Sequence, residues 1–169
     1  MKPLSVDIPF PSLAGIVPSR RQAEIISPAY AAPDSELTTI LQYVYHHFYF
    51  ENENMEDIAS LYEQIFISEM THLDHLGNAL LKLGADPVFT KRPPIKENFF
   101  TAAYVKYSKN PKQMLIDDIN SEMHAIAQYR AMLPKLDDAP LAALISRIIM
   151  DEELHLKTFK ELYSNIANN

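Results

Sequence analysis

With 169 residues, 47% of them hydrophobic and 22% charged, the chain is long enough for one globular domain with a buried core and too short for a second full one. A formal net charge of -7 without any basic cluster excludes the phosphate-neutralising face of a nucleic-acid binder. The absence of Cys excludes disulfides, thiolate zinc sites, iron–sulfur clusters and cysteine nucleophiles, leaving carboxylates and imidazoles as the strong metal ligands.

Residues 1–32 carry Pro3, Pro9, Pro11, Pro18 and Pro28, which disfavour long helices. They are expected to form an extended Pro-rich arm that lies on its own domain or reaches a neighbouring subunit. The opening MKPLSVDIPFPSLAG lacks the basic n-region and continuous apolar h-region of a secretion signal. No stretch approaches the ~18 uninterrupted apolar residues of a membrane span. A cytoplasmic protein without a membrane partner is expected.

Residues 33–169 are expected to form one helical domain, since strand-like alternation is absent and the three Gly and the remaining Pro punctuate helical blocks. The first helix opens near Pro33, which suits a first helical position, and runs to about residue 50. The second starts after Asn54, with Asp57 in a capping-box-like position, and ends at Leu83 with Gly84 as its C′ residue. The third runs from Pro111, capped by Asn110, to about Leu133; the fourth starts after Asp138 and continues to about Ile166. Short connections make each pair an antiparallel hairpin, and the long segment 86–109 joins the pairs. Two tight hairpins and one long crossover give a four-helix bundle of the ferritin-like type. The apolar stretch FFTAAYVKY in the crossover should pack on the bundle.

The second helix carries a seam of Ile58, Tyr62, Ile65, Leu76, Ala79 and Leu83, and the same register lands on Glu69 and His72. In the fourth helix the seam Leu141, Ile145, Ile148, Phe159, Leu162 and Ile166 is interrupted by Glu152 and His155. The third contributes Glu122 on the stripe Leu115, Asp118, Glu122, Ala125, Tyr129, and the first contributes Glu36 ahead of Ile40, Tyr43 and His47. Glu36 precedes Glu69 by 33 residues and Glu122 precedes Glu152 by 30, so the two halves repeat their ionisable groups.

Uncompensated buried carboxylates cost several kcal/mol each and tend to take up protons. Cations are the economical compensation, and Glu-x-x-His offers an oxygen and a nitrogen ligand from one helix turn. Four carboxylates also balance two divalent ions. Glu36, Glu69, His72, Glu122, Glu152 and His155 are therefore expected to hold two divalent transition-metal ions, Mn or Fe. Tyr43, His47, Asp118 and Tyr129 are candidates for orienting those ligands. His46, His75 and His124 are assigned to polar faces or ordinary hydrogen bonds, and Glu51, Glu63 and Glu153 to solvent.

The segments PDSELTTILQYV, ISEMTHLDHLGNALLKLGADP, SEMHAIAQYR and MDEELHLKTF resemble the ferritin-like superfamily, and within it the manganese catalases, including their spore-coat branch, and the rubrerythrins. The resemblance covers about residues 33–165 and implies Glu36 as a ligand, Glu69 as a bridging carboxylate, His72 as a terminal ligand, and further ligands at Glu122 and His155. Glu152 completes a four-Glu, two-His set more typical of ferritins and rubrerythrins than of manganese catalases. The additional rubrerythrin Glu would fall on Ala125 and is missing, as is a Cys-bound iron domain. The chain is also short for a manganese catalase.

What the resemblance implies is a di-metal oxidoreductase acting on hydrogen peroxide, with Glu69 and Glu152 as catalytic carboxylates. The alternatives are a peroxide reductase or ferroxidase using dioxygen or peroxide, and a non-catalytic metal-holding coat protein. A homo-oligomer is expected, because the arm and the Tyr-rich first helix offer more apolar surface than one small bundle covers. The spore coat is the alternative location to the cytoplasm.

Overall fold

The computed structural model describes residues 2–167, and among them the architecture is all-helical with one isolated antiparallel bridge, Thr90 with Phe99. Helices α2 (Glu36–Asn52), α3 (Glu56–Lys82), α4 (Pro111–Met132) and α5 (Ala139–Ala167) form the bundle, and α1 (Arg20–Ala31) precedes them. The most extensive packing is α2 on α3 and α4 on α5, so both expected hairpins are present, with α2 against α4 and α3 against α5 closing the bundle.

The ends of these helices follow from local chemistry. At the end of α3, Gly84 has φ 83°, its N–H donates to the Leu81 carbonyl at 3.0 Å and the Ala85 N–H to the Leu80 carbonyl at 2.9 Å, the paired bonds of a Schellman stop. Asn54 does the same for α2: φ is 58°, with N–H bonds from Asn54 to Glu51 and from Met55 to Phe50. This corrects the expectation that Asn54 caps α3. Its short polar side chain tolerates the left-handed conformation, and α3 opens one residue later with Met55 at the cap position. Likewise α2 opens at Glu36, behind an extended Ser35 whose hydroxyl donates to the Ala32 carbonyl at 2.6 Å. Asn110 caps α4 as expected, accepting from the Gln113 N–H at 3.0 Å, and the Asp138 carboxylate accepts from Leu141 N–H.

The arm is extended only through Ser19; its second part folds as α1, which corrects the expectation for residues 20–32. Pro28 lies inside this helix, where a proline costs about 3 kcal/mol. Burial offsets it: Ala23, Ile26, Ala29, Tyr30 and Ala31 all enter the main core, and a fully buried Ile alone contributes roughly 1.5–3 kcal/mol. The Ser19 hydroxyl supplies the N-cap. In the crossover, Val105 is buried, Phe100 packs on the core and Ala102–Tyr104 form a single 3-10 turn.

Two apolar clusters divide the interior. One joins α1 to Leu76, Ala79, Leu80, Tyr129, Leu141, Ile145 and Ile148; the other joins Tyr43, Phe50, Tyr62, Ile65, Leu115 and Phe159. On α3, α4 and α5 the residues between the two clusters are Glu69 and His72, Glu122, and Glu152 and His155. The ionisable groups thus occupy mid-bundle, sealed by hydrocarbon above and below.

Candidate metal centre

Each bundle helix delivers its group through its apolar stripe: where the register that buries Tyr62, Ile65 and Leu76 passes through Glu69 and His72, those side chains have no direction but inward. Glu36 is 3% exposed, Glu69 and Glu152 are 1% exposed, and His72, Glu122 and His155 are fully buried. They form two overlapping groups: Glu36, Glu69, His72 and Glu152 in one, and Glu69, Glu122, Glu152 and His155 in the other, with the contributing ligand atoms of each group within 4.8 Å of one another. Glu69 and Glu152 belong to both groups. The other four side chains flank them as Glu–His pairs, Glu36 with His72 and Glu122 with His155.

The histidines point the same ring atom inward. His72 Nδ1 is 2.9 Å from Glu69 Oε2 and 3.2 Å from Glu152 Oε1, and His155 Nδ1 is 2.9 Å from Glu69 Oε1. Their outward nitrogens are bound elsewhere: His155 Nε2 donates to the Leu4 carbonyl at 2.8 Å, and His72 Nε2 lies 3.1 Å from Asp151 Oδ2. Glu69 Oε1, Glu122 Oε2, Glu152 Oε1 and His155 Nδ1 are buried without a hydrogen bond of good geometry, although Glu69 Oε1 and His155 Nδ1 are close enough to attract. Carboxylate oxygens and imidazole nitrogens converging in one buried pocket, with Glu122 Oε2 left without a hydrogen bond, are what a donor set for hard or borderline cations looks like.

Electrostatics points the same way. Burial, reinforced by repulsion from Glu152 and Glu69, pushes the Glu36 and Glu122 carboxyls well above the usual range. For Glu69 and Glu152 burial also opposes ionisation, but the imidazoles beside them win and hold both below the ordinary carboxylate value. The same carboxylates overcome the burial penalty on the rings, raising His72 well above 6.5 and His155 to about 10. The upward shifts of Glu36, Glu122, His72 and His155 all favour protons on the flanking residues, which offset the negative charge of the pocket.

Of the candidates for orientation, Tyr43 donates to Glu122 Oε1 at 2.5 Å and Tyr129 donates to Glu36 Oε1. Asp118 is fully buried one step further out, accepting from Gln42 Nε2 at 2.8 Å and from Tyr62, with His46 Nδ1 at 2.9 Å. His47 does not reach the pocket: its ring bonds the Ala59 carbonyl at 2.9 Å. The buried stripe of α2 turns from Tyr43 to His46 and Phe50, a step of three where the seam expectation took four, so His46 holds the interior position.

Asp151 and Arg147 were not singled out by sequence. Asp151 flanks a seam position rather than occupying it, yet both are buried, one turn apart on α5, and paired at 2.8 Å. The signal was their i,i+4 spacing next to Glu152; their partners come from residues 5–8, far away in sequence. Glu153, by contrast, is exposed and pairs with Arg130, and Glu51 and His124 are exposed too.

The pocket meets the surface between α2 and α4. A narrow cavity of about 20 Å³, lined by Thr39, Ser121, Ala125, Gln128 and Tyr129, ends on Glu36 and Glu152. It holds one or two molecules of water's size, at ~10–15 Å³ each.

The match to known proteins agrees with this arrangement. The chain is 26% identical over 148 residues to a bacterioferritin of Desulfovibrio desulfuricans, covering 88% of this chain and 79% of that protein. A crystal structure of D. desulfuricans bacterioferritin, described by its diiron site in different catalytic states, superposes with a TM-score of 0.73 at 26% identity over 89% of this chain and 85% of that one. The manganese catalase KatB from Anabaena shares the fold, with a TM-score of 0.80 at 19% identity over 95% of this chain and 79% of that chain. Residues 34–168 match the ferritin family, described as a ferritin-like domain, and the chain belongs to that family.

Proposed function

We propose that Glu36, Glu69, His72, Glu122, Glu152 and His155 hold two Mn or Fe ions, and that the chain is an oxidoreductase acting on hydrogen peroxide. The observation that carries this reading is the pair of overlapping groups sharing Glu69 and Glu152, with all six side chains buried at mid-bundle. When bound, such ions supply Lewis acidity and a two-electron store, so that disproportionation of peroxide to water and dioxygen needs no outside donor.

The chain's own part is binding, orientation and exclusion. Glu69 and Glu152, which belong to both groups, would be shared by the two ions, with Glu36 and His72 completing one half and Glu122 and His155 the other. Tyr129 and Tyr43 fix the flanking carboxylates through their hydroxyl protons, and burial keeps both phenols protonated well above their ordinary range. The cavity beside Ala125 that reaches Glu36 and Glu152 has room for a reactant of about water's size. Its polar rim of Thr39, Ser121 and Gln128 offers hydrogen bonds to a small polar reactant.

A second reading is favoured by the four-Glu, two-His set and the bacterioferritin similarity: iron oxidation, or peroxide reduction with a separate donor. Metal analysis of protein from its native source, with oxygen evolution from peroxide measured beside an apoprotein control, separates these. Manganese with oxygen release supports the first. Iron with Fe(II) oxidation and no oxygen release supports the second, and metal without turnover supports a structural role. The chain is further proposed to assemble as a homo-oligomer, since Phe48 and Leu41 expose apolar surface on α2.

A further inference from the structure

Residues 4–10 make a set of contacts that the proposed chemistry does not use. The Leu4 carbonyl accepts the outward N–H of His155 at 2.8 Å, while the Leu4 N–H is tied to the Gln64 carbonyl at 3.0 Å. The Ser5 hydroxyl and the Val6 N–H both donate to Asp151 at 2.8 Å, and the same carboxylate meets the outward nitrogen of His72. Arg147 closes the arrangement: Nε donates to the Ile8 carbonyl at 2.7 Å, and Nη2 to Ser5 Oγ at 2.9 Å and the Val6 carbonyl at 3.0 Å. Its guanidinium lies 4.4 Å over the Phe10 ring, which stacks on His75 at 4.1 Å and meets His72 edge-on. One short segment thus touches both site histidines, at His155 through the Leu4 carbonyl and at His72 through Asp151 and the edge-on Phe10 ring.

We propose that Leu4–Phe10 form a strap that positions both site histidines, and that docking of this strap is coupled to divalent-ion binding. The inference rests on the metal-centre reading above. An imidazole whose Nε2–H is held by a fixed acceptor keeps its Nδ1 lone pair aimed, so less ordering remains when an ion arrives. Leu4, Asp151 and Arg147 are positioning residues, since none supplies an atom to the pocket. Arg147 is the hook, because its planar fork spreads donors on separate nitrogens over two backbone carbonyls and a hydroxyl, whereas a lysine carries all its donors on one nitrogen. Coupling is reciprocal: whatever affinity the docked strap adds for the ions, the ions return as resistance of the strap to undocking.

Two measurements with Co(II) as probe test this. In the full wild-type chain, amide exchange at Leu4 and Val6 should slow about 10-fold or more when Co(II) saturates the site, while the crossover amide of Lys91, bonded to the Asn98 carbonyl away from the strap, stays unchanged. Arg147→Gln, which touches neither histidine, should weaken Co(II) binding by roughly 10–100-fold and shift the visible Co(II) bands, with Arg147→Lys recovering only part. If Arg147→Gln does not fold, the wild-type exchange result decides alone. Wild-type chain that binds two Co(II) with no change in Leu4 or Val6 exchange, or a folded Arg147→Gln with wild-type affinity and spectrum, overturns the strap. Wild-type chain that binds no Co(II) instead overturns the metal-centre reading, and the coupling with it.

Discussion

His72 and His155 face each other across the pocket with ring centroids 6.0 Å apart and planes 30° apart, each presenting Nδ1 to Glu69 and each held from behind at Nε2. The relation is two-fold in geometry as well as in sequence, since α3 and α5 contribute the same Glu-x-x-His turn from opposite sides. In the metal-free chain each ring shares its inward edge with a carboxylate, so ion binding has to displace protons.

That displacement gives the first prediction. Glu36, Glu122, His72 and His155 are all shifted upward, so loading two divalent ions near pH 7 should release up to four protons, one from each group. Titrating Mn(II) into weakly buffered apoprotein reads this number, and apparent affinity should rise with pH. For His155 the folded value of about 10 lies above the ordinary 6.5. Its contribution to metal-free stability is therefore fully present below about 6.5 and lost as pH rises towards 10. The melting temperature of apoprotein should fall across that window, while the metal-loaded protein stays flatter.

Glu122→Gln mimics the protonated carboxyl in shape and keeps an acceptor for the Tyr43 hydroxyl. It should raise the melting temperature of apoprotein at pH 9 by about 2 °C or more, because the wild-type chain must bury a proton or a charge there. Bound Mn(II) should drop below two per chain. A variant that melts lower than wild type at pH 9, measured by circular dichroism after chelation, would show that Glu122 is not the strained member.

Glu69→Ala should remove binding of the ion pair and peroxide turnover while leaving the helical signal intact. Unlike Glu122, Glu69 is an ionised partner of both imidazoles, so its loss should not stabilise apoprotein. Glu153→Ala is the control: exposed and paired with Arg130 at the surface, it should keep metal and activity, and the lost surface pair should cost about 1 kcal/mol or less. Equal metal content in the two variants would contradict the inward seam as the active face.

The bundle's register was legible because buried side chains on a long helix repeat with one period; Glu69, His72, Glu122, Glu152 and His155 fall on it by arithmetic. Gly84 and Asn110 announced their helix ends through local chemistry. His46 and His47 could not be separated, since a 3.6-residue period allows a step of either three or four after Tyr43. The helix around Pro28 was hidden because its stability comes from burying Ile26 and Tyr30 against distant helices, which overrides local propensity. Asp151 and Arg147 were hidden for a related reason: their partners, Ser5, Val6 and Ile8, lie about 140 residues away in sequence, and no periodicity reports such a pairing.

Assembly is testable at Phe48, whose ring is 60% exposed on α2 together with the partly exposed Leu41 one heptad before it. Light scattering at micromolar concentration should report more than one chain per particle. Phe48→Asp should shift it towards monomer without loss of helicity, because a charge placed in an apolar contact opposes association. A wild-type monomer at that concentration contradicts the proposal.

The metal centre is tested most directly by anomalous diffraction from crystals of the protein loaded with Mn(II), recorded on either side of the manganese edge. The account predicts two peaks per chain inside the bundle, one among Glu36, Glu69, His72 and Glu152 and the other among Glu69, Glu122, Glu152 and His155. A saturated crystal with no peak between these side chains, or with manganese only at surface carboxylates, would contradict it.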